Sequence, residues 1–225
     1  MDFDLHLHTS EGSACSRMAL RELIQAAKAQ GLDGICLTDH DHLWDRRLLT
    51  VLSREQSLLI FGGIELSTPL GEILIYGADD SVLTLQHDPV KLRARVRALG
   101  GVMVAAHPLR QDFSLPYGLS REECDLAPLL PESLAQRKIF QFVDALEVYN
   151  GRSSAHEKEM AIKVAALLTK PGTGGSDAHS TLGVGGCVTR FDRKITDYEE
   201  FLAELRQGNY RPAKRSLKNR DAWAH

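Results

Sequence analysis

Asp4-Leu5-His6-Leu7-His8-Thr9, almost at the amino terminus, is the stretch from which the rest of the chain can be read. Leu5 and Leu7 alternate with Asp4, His6 and His8, the period of two expected of a β-strand. Residues two apart on a strand share a face, so His6 and His8 project together. Two neutral imidazoles side by side form a chelating pair for a transition metal; they are equally the polar residues of a half-exposed strand. Ser176-Asp177-Ala178-His179, again with two donor side chains at i and i+2, tips the balance toward metal.

Working outward, strand, polar loop and helix recur. Thr9 to Arg17 is a polar loop holding Glu11, Gly12, Ser13, Cys15 and Ser16. Leu20, Leu23, Ile24 and Ala27 fall at helical spacing over residues 18–30, with Gly31 where a C-cap belongs. Gly34 to Leu37 reads as a short apolar strand running into Thr38-Asp39-His40-Asp41-His42. Parallel α/β proteins build their chemistry at the carboxyl ends of such strands. His40 is the ligand expected from this group, with His42 on the surface or substrate side. A charged helix is expected over 43–57 and a strand at Leu58 to Phe61, followed by Gly62-Gly63-Ile64-Glu65-Leu66-Ser67. Glu65 lies in a stretch that reads as buried, where a carboxylate is costly unless it pairs with an Arg or binds a cation.

Glu72 to Gly77 reads as another strand, 86–99 as a helix closed by Gly100-Gly101, and Val102 to Ala106 as a buried strand delivering His107-Pro108-Leu109-Arg110. Segment 111–142, with Pro116, Pro128 and Pro131, is irregular and is a candidate lid. Val143 to Tyr149 is a strand carrying Glu147. A helix follows over 154–168, with Ala155, Ile162, Ala165, Ala166 and Leu168 as its apolar stripe. Thr173 to Ser176 is a Gly-rich strand leading to Asp177 and His179, and 196–206 a last amphipathic helix. The basic tail 206–225 is expected to be solvated, or to help capture phosphate.

Composition bounds the function. The 225 residues are 43% hydrophobic and 25% charged, ample for a core and in the size range of one α/β barrel, so a single domain over 1–225 is expected. A net charge of -3 disfavours electrostatic binding to duplex DNA or to a membrane. Cys15, Cys36, Cys124 and Cys187 lie far apart with no Cys-x-x-Cys pair, so neither a disulfide framework nor a thiolate zinc site is suggested. Free thiols, no signal-like start and no apolar run near about 18 residues lead to the expectation of a soluble cytoplasmic protein.

Several motifs fail. His156-Glu157 opens a His-Glu-x-x-His zinc motif, but position 160 is Met. Gly174-Gly175-Ser176-Asp177-Ala178 departs from a nucleophile elbow at its last residue. There is no phosphate-binding P-loop, and Gly183, Gly185 and Gly186 do not complete a dinucleotide fingerprint. What remains is His6, His8, His40, Glu65, His107, Asp177 and His179 on successive strand ends. Nitrogen and oxygen donors without thiolate suit Zn, Mn or Fe. So many donors exceed the needs of one ion, and two or three ions roughly 3.5–4 Å apart would use them. Such a centre activates water near neutral pH and clamps both oxygens of a phosphoester displacement.

In order along residues 2 to 185, Asp4-Leu5-His6-Leu7-His8-Thr9, Thr38-Asp39-His40, Gly63-Ile64-Glu65, Ala106-His107-Pro108 and Gly175-Ser176-Asp177-Ala178-His179 resemble the signature of the PHP (polymerase and histidinol phosphatase) superfamily. Glu147-Val148-Tyr149-Asn150-Gly151-Arg152 also resembles the Glu-x-x-Asn-Gly stretch of stand-alone PHP phosphoesterases. The resemblance implies a distorted (β/α)7 barrel, a cluster of two or three divalent ions at the strand carboxyl ends, and phosphoesterase activity. Carried over, it implies one ion held by His6, His8, Glu65 and Asp177 and a second by His40 and His179. Glu65 and His107 reach a third, with Glu65 bridging. There are two departures. Family members often carry a His or Asp in the first loop, where Glu11, Ser13, Ala14 and Cys15 offer no obvious equivalent. Many carry a His after the Gly of the strand following the Glu motif, where this chain has Gly71-Glu72. Glu72 either replaces that ligand or leaves the third site weak or absent.

The expected activity is hydrolysis of a small phosphorylated metabolite or nucleotide by a metal-bridging hydroxide. The bond is a phosphomonoester, or that of a 3′,5′-bisphosphate or short oligonucleotide. Arg110 and Arg152 follow strand-end motifs and are candidate phosphate binders or plain salt-bridge partners. Asp39 is expected to orient a ligand or handle a proton, and His179 to serve in catalysis as well as metal binding. Asp4 and Glu147 are further candidates for a ligand or supporting role. The rival classes are a C–N hydrolase of the amidohydrolase kind, which often bridges its metals with a carbamylated Lys, and a non-catalytic metal-binding module.

Overall fold

Residues 1–110 and 130–218 are described by the computed structural model. Buried apolar runs form β1 (Asp2–Leu7), β2 (Gly34–Leu37), β3 (Leu59–Thr68), β4 (Gly71–Tyr76), β5 (Val102–Ala105), β6 (Ala145–Asn150), β7 (Gly172–Gly175), β8 (Cys187–Phe191) and β9 (Tyr210–Lys214). Between them lie α1 (Leu20–Gln30), α2 (Arg46–Gln56), α3 (Pro89–Ala98), α4 (Pro131–Leu134), α5 (Ala155–Leu167) and α6 (Tyr198–Gln207). Asp45, Ser154 and Asp197 cap α2, α5 and α6, each accepting a first-turn N–H. Glu157 bonds back to the Ser154 N–H at 2.7 Å, so the broken zinc motif of the sequence is half of a capping box.

The strands form one sheet in the order β7-β6-β5-β4-β3-β2-β1-β8-β9. β1, β2 and β3 run parallel, as do β5, β6 and β7, and β4 is antiparallel to both its neighbours. Six strands therefore direct their carboxyl ends to one mouth, while β4 brings its first residues there. The sheet curls until its seventh strand meets its first. Asp177 N–H donates to His6 O (2.8 Å) and His8 N–H to Ala178 O (3.2 Å). The Thr189 hydroxyl of β8 accepts from Gly174 N–H at 2.8 Å and donates to Gly174 O at 3.0 Å. The glycines of β7 are required: a Cβ on Gly174 would strike Val188 O, and one on Gly175 the His6 side chain. This is the expected barrel, distorted by the reversal of β4 and by the pair β8–β9.

The floor, at the amino ends of the strands, is aromatic. Phe3 stacks edge-on to Phe191 at 5.4 Å, and Phe201 of α6 packs 5.1 Å from Phe61. Phe201 is fully buried, and truncation to Ala would cost about 3–5 kcal/mol. Two expectations need correction. The buried stripe of α5 is Met160, Ala161, Val164 and Ala165, whereas Ile162 is 41% exposed. Alanines carry little facial information, and a stripe phased on Ala155 and Ile162 sits one position off. The basic tail is not simply solvated: Tyr210–Lys214 is edge strand β9, antiparallel to β8. There Pro212 is tolerated, as on edge strands generally. Arg211 pairs with Asp192 at 2.5 Å, and Arg215 donates to Gln30 O at 2.7 Å. Residues 111–129 of the expected lid and 219–225 of the tail lie outside the described residues. No helix among the described residues is long and apolar enough to cross a membrane.

Candidate metal centre

His6 lies in β1 and His8 just beyond it, both fully buried and on one face. Their Nε2 atoms approach each other at 3.1 Å, and each stands 3.2 Å from the same Glu65 oxygen, Oε2. His40 Nδ1, from the end of β2, reaches that oxygen at 3.3 Å. The other oxygen, Oε1, faces His107 Nε2 at 2.9 Å beyond β5. Asp177, following β7, brings Oδ1 to 3.3 Å from His8 Nε2 and 3.7 Å from His6 Nε2, with His179 Nδ1 at 3.5 Å. All seven residues singled out from the sequence thus converge at the mouth of the barrel. Glu72 joins them at 3.4 Å from His107 and 3.9 Å from His40. It does so because β4 runs in reverse, which puts its second residue level with the other strands' last.

His107 and Asp177 have φ of 27° and 53°, values uncommon for residues other than Gly. Each is held there by its backbone amide, His107 N–H donating to Glu147 at 2.9 Å and Asp177 N–H to His6 O at 2.8 Å. Strained backbone at such positions is found where the surrounding structure over-determines a site.

Supporting residues orient the donors. Glu147 accepts from His6 Nδ1 at 3.0 Å and from Asn150 Nδ2 at 2.9 Å, besides His107 N–H. A carboxylate against Nδ1 holds a proton there, so Nε2, which faces the cluster, is the nitrogen that would give up its proton to an ion. Ser13 Oγ lies 3.3 Å from His8 Nδ1 and accepts the His40 N–H at 2.8 Å. Asp4 is no ligand: it accepts Ser176 N–H and Gly185 N–H, both at 2.8 Å, and ties β1 to the loop after β7.

Asp39 requires correction. Its carboxylate accepts from Thr9 N–H (2.6 Å), Thr9 Oγ1 (2.7 Å) and Trp44 Nε1 (2.8 Å), all away from the histidines. Adjacent residues on an extended chain face opposite sides, so the neighbour of His40 points away from the cluster. Asp39 anchors the first loop and is not poised to move a proton. Arg110 lies against Asp177 and donates to Asn150 Oδ1 at 2.7 Å, so of its two roles the salt-bridge one matches this geometry. Arg152 stays at the rim, 3.3 Å from His179 Nδ1. Sequence reasoning missed the parts played by Ser13 and Asn150; a Ser or Asn buried beside donor side chains was the available signal.

Burial opposes charge throughout the cluster, yet opposite charges prevail. Burial pushes His6 down, but Glu147, Glu65 and Asp177 hold it well above the usual imidazole range. His8 is raised by Asp177 and Glu65 against its own burial. Burial pushes Glu65 up, but the charge of His6 and hydrogen bonds from His107, His6 and His8 hold it well below the carboxylate range. For Asp177, His6, His8 and Arg110 outweigh burial in the same sense. His179 is lowered, chiefly by burial. Ionised carboxylates and imidazole nitrogens aimed at common points are a donor set that fits divalent cations of the Zn, Mn or Fe kind.

Comparison with known proteins agrees with this geometry. Residues 4–107 match the PHP domain family and residues 155–210 the PHP-associated family. A curated "Probable phosphatase" of Caldicellulosiruptor bescii is 26% identical, over 91% of this chain and 90% of its own. Two solved structures share the fold. One is a two-domain Bacteroides vulgatus protein containing a predicted PHP-like metal-dependent phosphoesterase, with a TM-score of 0.64 at 18% identity, covering 95% of this chain and 64% of that one. The other is the lesion-specific endonuclease EndoQ of Pyrococcus furiosus, with a TM-score of 0.57 at 19% identity, covering 94% and 57%. The first family match spans His6 to His107 and the second Asp177 and His179, so the two matched segments together contain all seven donor residues, and with the probable phosphatase they show that the chain belongs to the PHP superfamily.

Proposed function

We propose that this chain is a metal-dependent phosphoesterase acting on a small phosphorylated metabolite or nucleotide. The observation that carries this is Glu65, whose two oxygens face different histidines: Oε2 lies 3.2–3.3 Å from His6, His8 and His40, and Oε1 2.9 Å from His107. A carboxylate so shared suits a centre of more than one ion, and the resemblance to a curated probable phosphatase supports the same chemistry. His6, His8, His40, Glu65, His107, Asp177 and His179, with Glu72 at the edge, would hold divalent ions, which when bound would activate water near neutral pH and offset charge on the phosphoryl oxygens.

The residues of the chain do the rest. Glu147 keeps the His6 proton on Nδ1, leaving Nε2 for the ion. His179 Nδ1 donates to the Asp177 backbone oxygen at 3.0 Å, which frees its Nε2. Arg152, at the rim beside His179, is placed to take a phosphate oxygen. Asp177 is kept ionised against its burial by His6, His8 and Arg110. An endonuclease among the structural relatives favours testing phosphodiesters beside monoesters.

The test is release of inorganic phosphate, with and without added Mn²⁺, from sugar phosphates, histidinol phosphate, nucleoside monophosphates and 3′,5′-bisphosphates. Cleavage of short oligonucleotides is followed in parallel. Metal-dependent turnover of one class, absent from a His6→Ala preparation, is the expected result. No turnover of any ester by the metal-loaded protein would sink the proposal.

A further inference from the structure

We infer that Cys15 is a metal ligand, a thiolate that completes the outer subsite with His40 and His179. This rests on the metal-centre reading above and adds a donor that the sequence did not suggest. Cys15, His8, His40 and His179 each present a donor atom, and all four atoms lie within 4.8 Å of one another. The loop bearing Cys15 is pinned on both sides. Ser13 accepts His40 N–H at 2.8 Å, Ser16 Oγ donates to His8 O at 3.0 Å, and Arg17 N–H reaches His179 O at 3.4 Å. The thiol is therefore held at the mouth by bonds to the same strand ends that carry the histidines.

Donor counting gives the thiol a place beside the carboxylates that Glu65 and Asp177 share with the inner subsite. His8 Nε2 is packed against His6 Nε2, Glu65 Oε2 and Asp177 Oδ1 at 3.1–3.3 Å, so its lone pair belongs to the inner subsite. One lone pair serves one ion. His40 and His179 would then hold the outer ion with two nitrogens, short of the three protein ligands that a catalytic zinc site keeps beside its open position. Cys15 is the third, giving a Cys–His₂ set with a position left for water or substrate. A thiolate also shifts preference toward softer ions, Zn²⁺ or Co²⁺ over Mn²⁺ or Mg²⁺. The thiol is exposed, whereas Cys36 and Cys187 are buried, so reagent access at Cys15 can be followed by peptide mapping.

The experiment uses the full chain, metal-free and reloaded with Zn²⁺ or Co²⁺, with bound metal counted in each sample. Two results are expected. Zn²⁺ slows alkylation of Cys15 by at least about tenfold, because a coordinated thiolate is no longer a free nucleophile. The Co²⁺ protein shows a near-ultraviolet thiolate-to-cobalt band that Cys15→Ser lacks, and that variant retains zinc at least about tenfold less tightly. If metal binds at the same stoichiometry while Cys15 alkylates at one rate with or without it, the inference is overturned and the metal centre stands. If no metal binds at all, the inference and the metal-centre reading fall together.

Discussion

Glu147→Gln changes one atom of a buried residue behind the donor set, and its effect on metal affinity follows from hydrogen-bond inventory. Every neighbour of the Glu147 carboxylate is a donor: His6 Nδ1 at 3.0 Å, His107 N–H at 2.9 Å and Asn150 Nδ2 at 2.9 Å. A glutamine offers one acceptor and one donor group. If its oxygen stays with His107 and Asn150, its NH₂ meets His6 Nδ1 and drives the His6 proton to Nε2, the nitrogen that faces Glu65. If its oxygen stays with His6, the NH₂ meets two other donors. Either way one charge-assisted bond is lost, about 1.5–3 kcal/mol. At about 1.4 kcal/mol per tenfold, metal affinity should drop by about ten- to a hundredfold. Competition against a chelator of known strength measures this directly. Activity should fall in step at limiting metal and return when metal is saturating. Wild-type metal affinity in the variant would refute the orienting role, and activity that stays lost with metal bound would place Glu147 in the chemistry instead.

Further outcomes follow from the same geometry. Asp177→Ala should lose metal and activity together, since it removes the carboxylate that faces both His6 and His8 and leaves Arg110 without its acceptor; full activity would contradict the cluster. Arg152→Ala should raise KM by about tenfold or more, the worth of one hydrogen bond to a charged group, with metal content unchanged. Metal analysis beside steady-state kinetics separates these two cases. Asp4 is raised from 3.8 to about 6, because burial outweighs its bonds from Ser176 and Gly185. A carboxyl raised on folding binds more protons in the native state, so its contribution is fully present below about pH 3.8 and is lost as pH rises through about 6. The gap corresponds to about 3 kcal/mol. Denaturant unfolding between pH 4 and 7 should therefore show wild type losing stability relative to Asp4→Asn as pH rises; parallel curves would show that Asp4 does not titrate there.

What could be read in advance, and what could not, divides by the range of the interactions. His6 and His8 were legible because a strand's period of two is a local property, and Glu65 because a carboxylate between buried aliphatic residues needs a partner wherever it lies. Asp39 was misjudged because adjacency in sequence was taken for adjacency in space, when neighbouring strand residues face opposite sides. β8 and β9 escaped notice because Cys187–Phe191 and Tyr210–Lys214 are short, mix polar with apolar residues and include a Pro, and are held by pairing with each other and with β1 rather than by their own periodicity. Glu72 and Cys15 illustrate a third case. Glu72 reaches the mouth only because β4 is reversed, and that reversal is decided by its pairing with β3 and β5. Cys15 comes within reach of His40 and His179 because Ser13, Ser16 and Arg17 fold the loop back on three different strand ends. Topology, which no local pattern encodes, therefore decides the edge of the donor set. On the reading proposed above, that edge would govern how many ions the site takes and of which kind, and the inner donors that it takes metal at all.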